Sequence, residues 1–252
     1  MYQINKFFER LARFFRFLIS DKYKLHHKYQ NKNQIINADL IIKSLKLKSF
    51  NPKNIVDIGC GHGEWTKKMI KHYSNSIFYL FDANEENREK LERLKQNNKN
   101  INYQISLLTD VVKEYDFYKM GYGSSIFEEQ TTHKREKLRI KSKKLSDELP
   151  KEISMSNNNM IKLDVQGSEL IILNGLDKLL NNFEVIILET SIHKFNKDAP
   201  LFNEIINYMT DKNYQLYDLF DLKRIGYDKS FLLQFDCVFI RKDSNLLKVT
   251  FG

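Results

Sequence analysis

Two apolar periods alternate along the chain. From Ile55 to Ile58 a short aliphatic run, interrupted by Asp57, reads as a strand covered on both faces. A charge inside such a run requires a partner or a ligand. Glu64 to Tyr73 has helical spacing, and Ile77 to Phe81 is a second strand that ends in Asp82. Asn84 to Gln96 reads as a charged helix and Ile101 to Leu107 as a third strand. Glu114 to Met120 and Leu138 to Lys144 are extended, Ile161 to Val165 is a strand and Ser168 to Leu180 a helix. Val185 to Leu188, a helix from Phe202 to Lys212, and extended stretches at Tyr214 to Leu219 and Phe235 to Ile240 complete the series. Strands alternating with helices predict an open α/β sheet built from βαβ units.

Ahead of this series the pattern differs. In residues 1–20, Phe7, Leu11, Phe14, Phe15 and Leu18 recur at helical spacing, with Lys6, Arg10, Arg13 and Arg16 between them. The stretch is too short and too charged to span a bilayer, and no small-residue cleavage site follows it. It fits packing on the body or across a homodimer, a peripheral position on an anionic membrane surface, or an arm. A polar connector carries His26 and His27, whose plain reading is exposed side chains. Ile35 to Leu47 is a second amphipathic helix. Residues 1–50 thus read as a helical extension and 51–252 as the main domain. The net charge of +9 is concentrated in the extension, which argues against a whole-surface nucleic-acid binder. Cys60 and Cys237 suggest neither a disulfide framework nor a metal knuckle, which fits a reducing cytoplasm.

The loop after the first strand carries Gly59, Gly61 and Gly63. A dinucleotide fingerprint would place its third glycine at position 64, which is Glu64. Asp57 and Glu64 would also repel a pyrophosphate. Asp82, at the end of the second strand, suits the hydroxyls of a ribose. The spacing resembles the S-adenosylmethionine loop of class I methyltransferases, whose cationic donor tolerates nearby carboxylates. In that architecture Leu107 and Asp110 flank the adenine, and a hairpin of final strands closes the sheet.

Asp57, Asp82, Asp164 and Glu189 all fall at or near carboxyl ends of strands, where open α/β sheets bind ligands. His193 follows closely. Residues 111–149 break the βα alternation and read as a substrate-shaping insertion. Tyr122, Ser124, Ser125 and His133 are its candidate polar contacts, beside a plain loop reading for each. Asp164 or Glu169 fits equally as a cap on the helix after Gly167, and His193 as an ordinary loop histidine.

Asp164, Val165, Gln166, Gly167, Glu169, Leu173 and Gly175 resemble the signature of the FkbM-type methyltransferases. Other pieces agree. Asp57-Ile58-Gly59-Cys60-Gly61 matches the cofactor loop and Phe81-Asp82-Ala83 the ribose strand. Gly123-Ser124-Ser125, Ile187-Leu188-Glu189 and Asp236-Cys237-Val238-Phe239 match shorter elements. In Leu145 to Leu149, Ser146 stands where the family more often has an acid. The resemblance spans residues 50–242. It implies a seven-stranded Rossmann-like class I sheet flanked by helices. It also implies methyl transfer from S-adenosylmethionine to a hydroxyl of a sugar or sugar nucleotide, as in bacterial surface polysaccharide synthesis. An N-methyltransferase and a non-catalytic binding module are the alternatives.

A sugar hydroxyl has a pKa on the order of 14, so ionising it at neutral pH costs roughly 10 kcal/mol. A base or a metal must offset part of that. Asp164, Glu189 and His193 are the catalytic candidates, with His193 or Asp164 as the base if no metal binds. If all three converge, they form an oxygen/nitrogen set for Mg²⁺ or Mn²⁺.

Overall fold

A computed structural model describes residues 37–225 and 230–248. The stretch 1–20 and the connector with His26 and His27 lie outside them. Helix α1 (Ala38–Leu47) is capped by Asn37, whose Oδ1 accepts from the Leu40 amide at 3.2 Å. Asp39 in its first turn and Lys46 in its last suit the helix dipole. The first half follows as β1 (Asn54–Ile58), α2 (Glu64–His72), β2 (Ile77–Asp82), α3 (Arg88–Gln96) and β3 (Ile101–Ile105). β4 (Leu108–Thr109) leads into the insertion, which holds β5 (Glu114–Lys119), β6 (Glu136–Lys141), β7 (Lys143–Lys144) and the single turn α4 (Leu145–Glu148). The second half is β8 (Asn159–Leu163), α5 (Glu169–Asn174), β9 (Phe183–Ser191), α6 (Phe202–Asp211), β10 (Tyr214–Ile225) and β11 (Phe231–Arg241).

Seven strands form one sheet in the order β10-β11-β9-β8-β1-β2-β3. Neighbours from β3 to β9 are parallel, and β11 alone runs against the rest, between β9 and β10. This is the Rossmann-like class I methyltransferase sheet that the resemblance implies. All five residues of β1 and all five of β8 are buried, as central strands covered on both faces must be. The chain winds outward from β1 to β3, then returns to lay β8 on the other side of β1. The switch point therefore lies between β1 and β8.

One face of the sheet packs under α1, α2 and α3 through Ile42, Leu45, Met69 and Leu91; the other packs under α5 and α6 through Ile172, Ile205 and Met209. The described part of the extension, α1, shares the core of the sheet. Ile41, Ile42 and Leu45 of α1 are fully buried with Tyr73, Phe78 and Phe220 of the sheet domain.

Several elements differ from the sequence pattern for local reasons. The extended run Leu138 to Lys144 divides at Ser142, whose hydroxyl donates to the Val111 carbonyl at 2.8 Å and so breaks the strand into β6 and β7. The helix expected over Ser168 to Leu180 stops at Gly175 and restarts as a 3₁₀ turn, because Asp177 takes φ +51°. Glu189 sits inside β9, paired with Asp236, rather than at a strand end. Among the described residues no helix is long and apolar enough to cross a membrane.

Leu45→Ala removes a fully buried side chain at the seam between α1 and the sheet. It should cost about 2–5 kcal/mol in chemical denaturation, as a core truncation does. A loss below about 0.5 kcal/mol would show that α1 is not part of the core.

Candidate functional site

The glycine loop is fixed from two sides. The amides of Gly59 and Cys60 donate to the Phe81 carbonyl at 2.9 and 3.2 Å. Gly59 has φ +73°, and a Cβ there would lie 2.0 Å from the backbone oxygen of Asp164. Only glycine permits that approach. Gly61 donates its amide to Asp82 Oδ2 at 2.7 Å. Asp82 Oδ1 accepts from the Asn84 amide at 2.8 Å and from Asn87 Nδ2 at 2.9 Å. Burial outweighs these hydrogen bonds and leaves the Asp82 carboxyl above its usual range.

Beyond the strand ends lies a cavity of about 430 Å³. Gly59, Gly61, Asp82, Ala83, Ser106 and Leu107 line one end of it. Ser106 Oγ there is buried without a partner. A shaped apolar slot with one unsatisfied hydroxyl and an acid that can still accept suits a nucleoside. These residues fit S-adenosylmethionine. The other candidates for this end lie around it. Asp57 is buried beneath the loop, where its Oδ2 accepts from Thr66 Oγ1 at 2.6 Å and its Oδ1 has no partner. Burial pushes its carboxyl up to about 6. Gly63 faces Leu94, which a Cβ would meet at 2.4 Å, so it serves packing against α3. Asp110 is not among the cavity-lining residues.

Asp164, Gln166, Ser124, Ser125 and Lys223 line the cavity too. Asp164 Oδ2 pairs with Lys162 Nζ at 2.8 Å, and Lys162 is almost fully buried, 5.9 Å from the centre of the Trp65 ring. Burial alone would raise Asp164, but Lys162, with Lys223 behind it, overrides burial and holds the carboxyl below its usual range. Gln166 has φ +56°. Its carbonyl accepts from Asn196 Nδ2 at 2.7 Å and Ser125 Oγ at 2.9 Å, which pins this strained turn from both flanks. Its Nε2 lies 3.3 Å from Asp164 Oδ1 and 2.5 Å from Glu189 Oε2. Glu189 is buried, accepts also from Lys223 and from Gln234 Nε2, and burial next to Asp164 raises its carboxyl well above the usual range. Glu169, not Asp164, serves the turn before α5: its Oε1 accepts from the Val165 and Gly167 amides at 3.1 and 3.2 Å. Burial pushes it up to about 7.

The insertion roofs the cavity through Phe117, Ile126 and the turn Gly121–Gly123, which contains Tyr122. Lys119 of β5 ties this roof to Glu86 at 2.7 Å. His133 is exposed and outside the cavity. His193 is also exposed, stacked on Phe231 with ring centres 4.2 Å apart, and it lines a separate small pocket. The expected metal set therefore does not form. Among the described residues no three His, Cys, Asp or Glu side chains gather as one; Asp164 pairs with Lys162, Glu189 with Lys223, and His193 lies in the other pocket.

Sequence reasoning missed Ser106, Asn84, Lys162, Lys223 and Gln234. Lys162 had a readable signal, since it is a second charge inside an apolar strand, two residues before Asp164 and thus on the same face. Lys223 had none.

A model of the methyltransferase FkbM domain matches residues 57–216. The chain belongs to the FkbM methyltransferase family. It is a methyltransferase that uses S-adenosylmethionine. One similar protein is the ribosomal RNA small subunit methyltransferase A of Aster yellows witches'-broom phytoplasma, 31% identical over 97 residues, which are 37% of this chain and 35% of that protein. Among solved structures, an S-adenosylmethionine-dependent methyltransferase from Clostridium acetobutylicum is 12% identical, with a TM-score of 0.48 over 94% of this chain and 98% of its own. Precorrin-6y C5,15-methyltransferase from Geobacter metallireducens is 11% identical, with a TM-score of 0.47 over 84% and 97%.

The buried acids of the methyltransferase set its response to pH. An acid whose folded pKa lies above its unfolded value binds its proton more tightly when folded. Its stabilising effect is therefore complete below the unfolded value and lost as pH rises through the folded one. Glu169, raised from 4.5 to about 7, should contribute a decline on the order of 3 kcal/mol across that window. Glu169→Gln keeps an acceptor oxygen but cannot titrate. Melting curves from pH 4 to 8 should fall less steeply for this variant than for the native chain; parallel curves would show that Glu169 is not so raised.

Proposed function

We propose that this methyltransferase methylates a hydroxyl of a sugar or sugar nucleotide, in bacterial surface polysaccharide synthesis. The observation that carries this reading is the continuity of one cavity. It runs from the nucleoside end at Asp82 and Ser106 to Asp164, Gln166, Ser124 and Ser125. Asp164 keeps acceptor capacity there, and the hydroxyls of Ser124 and Ser125, which donate to the Gly121 and Gln166 carbonyls, keep at most one lone pair each for an acceptor.

Bound S-adenosylmethionine supplies an electrophilic methyl group, so the chain need not activate the donor. Asp82 orients the donor's ribose, and the loop at Gly59 brings it beside Asp164. Roofing by the insertion excludes water. Asp164 accepts the hydrogen bond of the acceptor hydroxyl and orients the oxygen. Held below its usual range, Asp164 is too weak a base to ionise that hydroxyl beforehand. It takes the proton late, as the oxygen becomes a strongly acidic oxonium in forming the ether. Glu189 and Gln166 hold Asp164 in place. The Asp164 carboxylate at the reacting end of the cavity supports an uncharged hydroxyl as the group methylated.

The experiment is S-adenosylhomocysteine formation with a panel of glycosides, sugar nucleotides, amines and RNA. Glycosides or sugar nucleotides should turn over; turnover with RNA or amines alone would refute the reading. Asp82→Ala should weaken S-adenosylmethionine binding roughly 10–100-fold in calorimetry, the equivalent of lost charge-assisted hydrogen bonds. Asp164→Asn should lower kcat roughly 10²–10⁴-fold with donor affinity within about threefold. Unchanged turnover in a folded Asp164→Asn chain would remove Asp164 from the chemistry.

A further inference from the structure

β10 is irregular where it passes the cavity. Its register with β11 shifts between Phe220 and Lys223 and again between Lys223 and Arg224. Asp221, between these positions, holds φ at +49°. The left-handed region is uncommon for a residue with a Cβ. Such strain persists where the surroundings impose it, and bulges re-aim the side chains beside them.

The side chain re-aimed here is Lys223. It reaches from an edge strand into the lining of the cavity. Its ammonium pairs with Glu189, whose side chain is 2% exposed, while 53% of the Lys223 side chain stays exposed. The anchor is rigid, because Gln166 and Gln234 also donate to Glu189. An ammonium has three donors, and Glu189 accepts from one of them. A single nitrogen, Gln166 Nε2, bridges Asp164 and Glu189. The carboxylate assigned to the reacting hydroxyl and the ammonium of Lys223 are therefore adjacent. Lys223 also lies beyond residue 216, where the family match ends, so the match assigns it nothing.

We propose that Lys223 is a specificity-determining residue that donates to a second acceptor oxygen next to the one methylated, so that the acceptor is a vicinal diol. This rests on the hydroxyl-acceptor reading above. One oxygen of the diol hydrogen-bonds to Asp164 and the other accepts from Lys223. The first oxygen forms its bond to the methyl carbon as the carbon–sulfur bond breaks, with that electron pair going to sulfur. The hydroxyl proton passes to Asp164, while the second hydroxyl and Lys223 keep their protons. A donor placed on the second oxygen positions the ring without engaging the nucleophilic lone pair.

The test compares methyl hexopyranosides and nucleotide hexoses with their monodeoxy counterparts on the native chain, Lys223→Met and Lys223→Arg. Loss of the cation leaves Glu189 protonated rather than as an unpaired buried charge, so Lys223→Met should fold. The native chain should lose roughly 10–100-fold in kcat/KM when the neighbouring hydroxyl is deleted. Lys223→Met should show that loss already with the diol and no further loss with the deoxy acceptor. Lys223→Arg should restore part of the preference, and calorimetric affinity for S-adenosylhomocysteine should stay within about threefold throughout. A Lys223→Met chain that still prefers the diol overturns the proposal, as does a native chain indifferent to the deletion. A native chain that methylates no hydroxyl acceptor overturns the underlying reading as well.

Discussion

The site depends on one close approach. Two parallel strands, β1 and β8, lie side by side at the switch point, and the loops leaving them must share the space beyond. The Asp164 amide donates to the Ile58 carbonyl at 3.0 Å, and the carbonyl of Asp164 sits where the Cβ of residue 59 would be. A side chain at Gly59 would push apart the loop of Gly59 and Gly61 and the loop of Asp164 and Gln166, which line the two ends of the cavity. Both ends of the cavity are therefore positioned by the same backbone contact, without reliance on a flexible side chain.

A buried layer of charge lies under that contact. Lys162 pairs with Asp164, and the charges of Asp164, Asp236 and Asp57 together stabilise its ammonium against burial. An ion of this kind is costly to desolvate, so its partners are not free to leave. Asp164 stays ionised and oriented as a result. Glu189 sits behind it, bridged through Gln166, and remains neutral more easily than a surface acid would. Two adjacent carboxylates with divergent ionisation give one group that accepts a hydrogen bond and one that holds neighbours in place. Lysines and amides, rather than further carboxylates or imidazoles, surround Asp164 and Glu189 among the described residues.

The frame was legible in the sequence wherever a single physical demand dominated. β1, β2 and β8 are apolar runs; Gly59 follows β1 because the backbone admits no side chain there, and Asp82 ends β2 because its carboxylate accepts from the Gly61 and Asn84 amides. Such constraints act within a few positions of the chain. The acceptor end was less legible because its parts come from distant segments. Gln166 is shaped by Ser125 and Asn196, and Glu189 is held by Lys223 across two strands. No periodicity encodes those contacts. His193 shows the same limit: it follows Glu189 closely in sequence, but β9 runs on to Ser191 and His193 lies beyond it, in an exposed stack on Phe231. The bulge that turns Lys223 inward lies in a stretch that reads as a polar strand end.

The central claim is that one cavity holds the donor at Asp82 with its reactive end directed at Asp164. A crystal structure of the complex with S-adenosylhomocysteine tests it most directly. The account predicts the ribose hydroxyls on Asp82, the adenine against Leu107 and Ser106, and the sulfur facing Asp164 and Gln166 beneath the insertion. A sulfur directed away from Asp164, or a ligand bound outside this cavity, would contradict it.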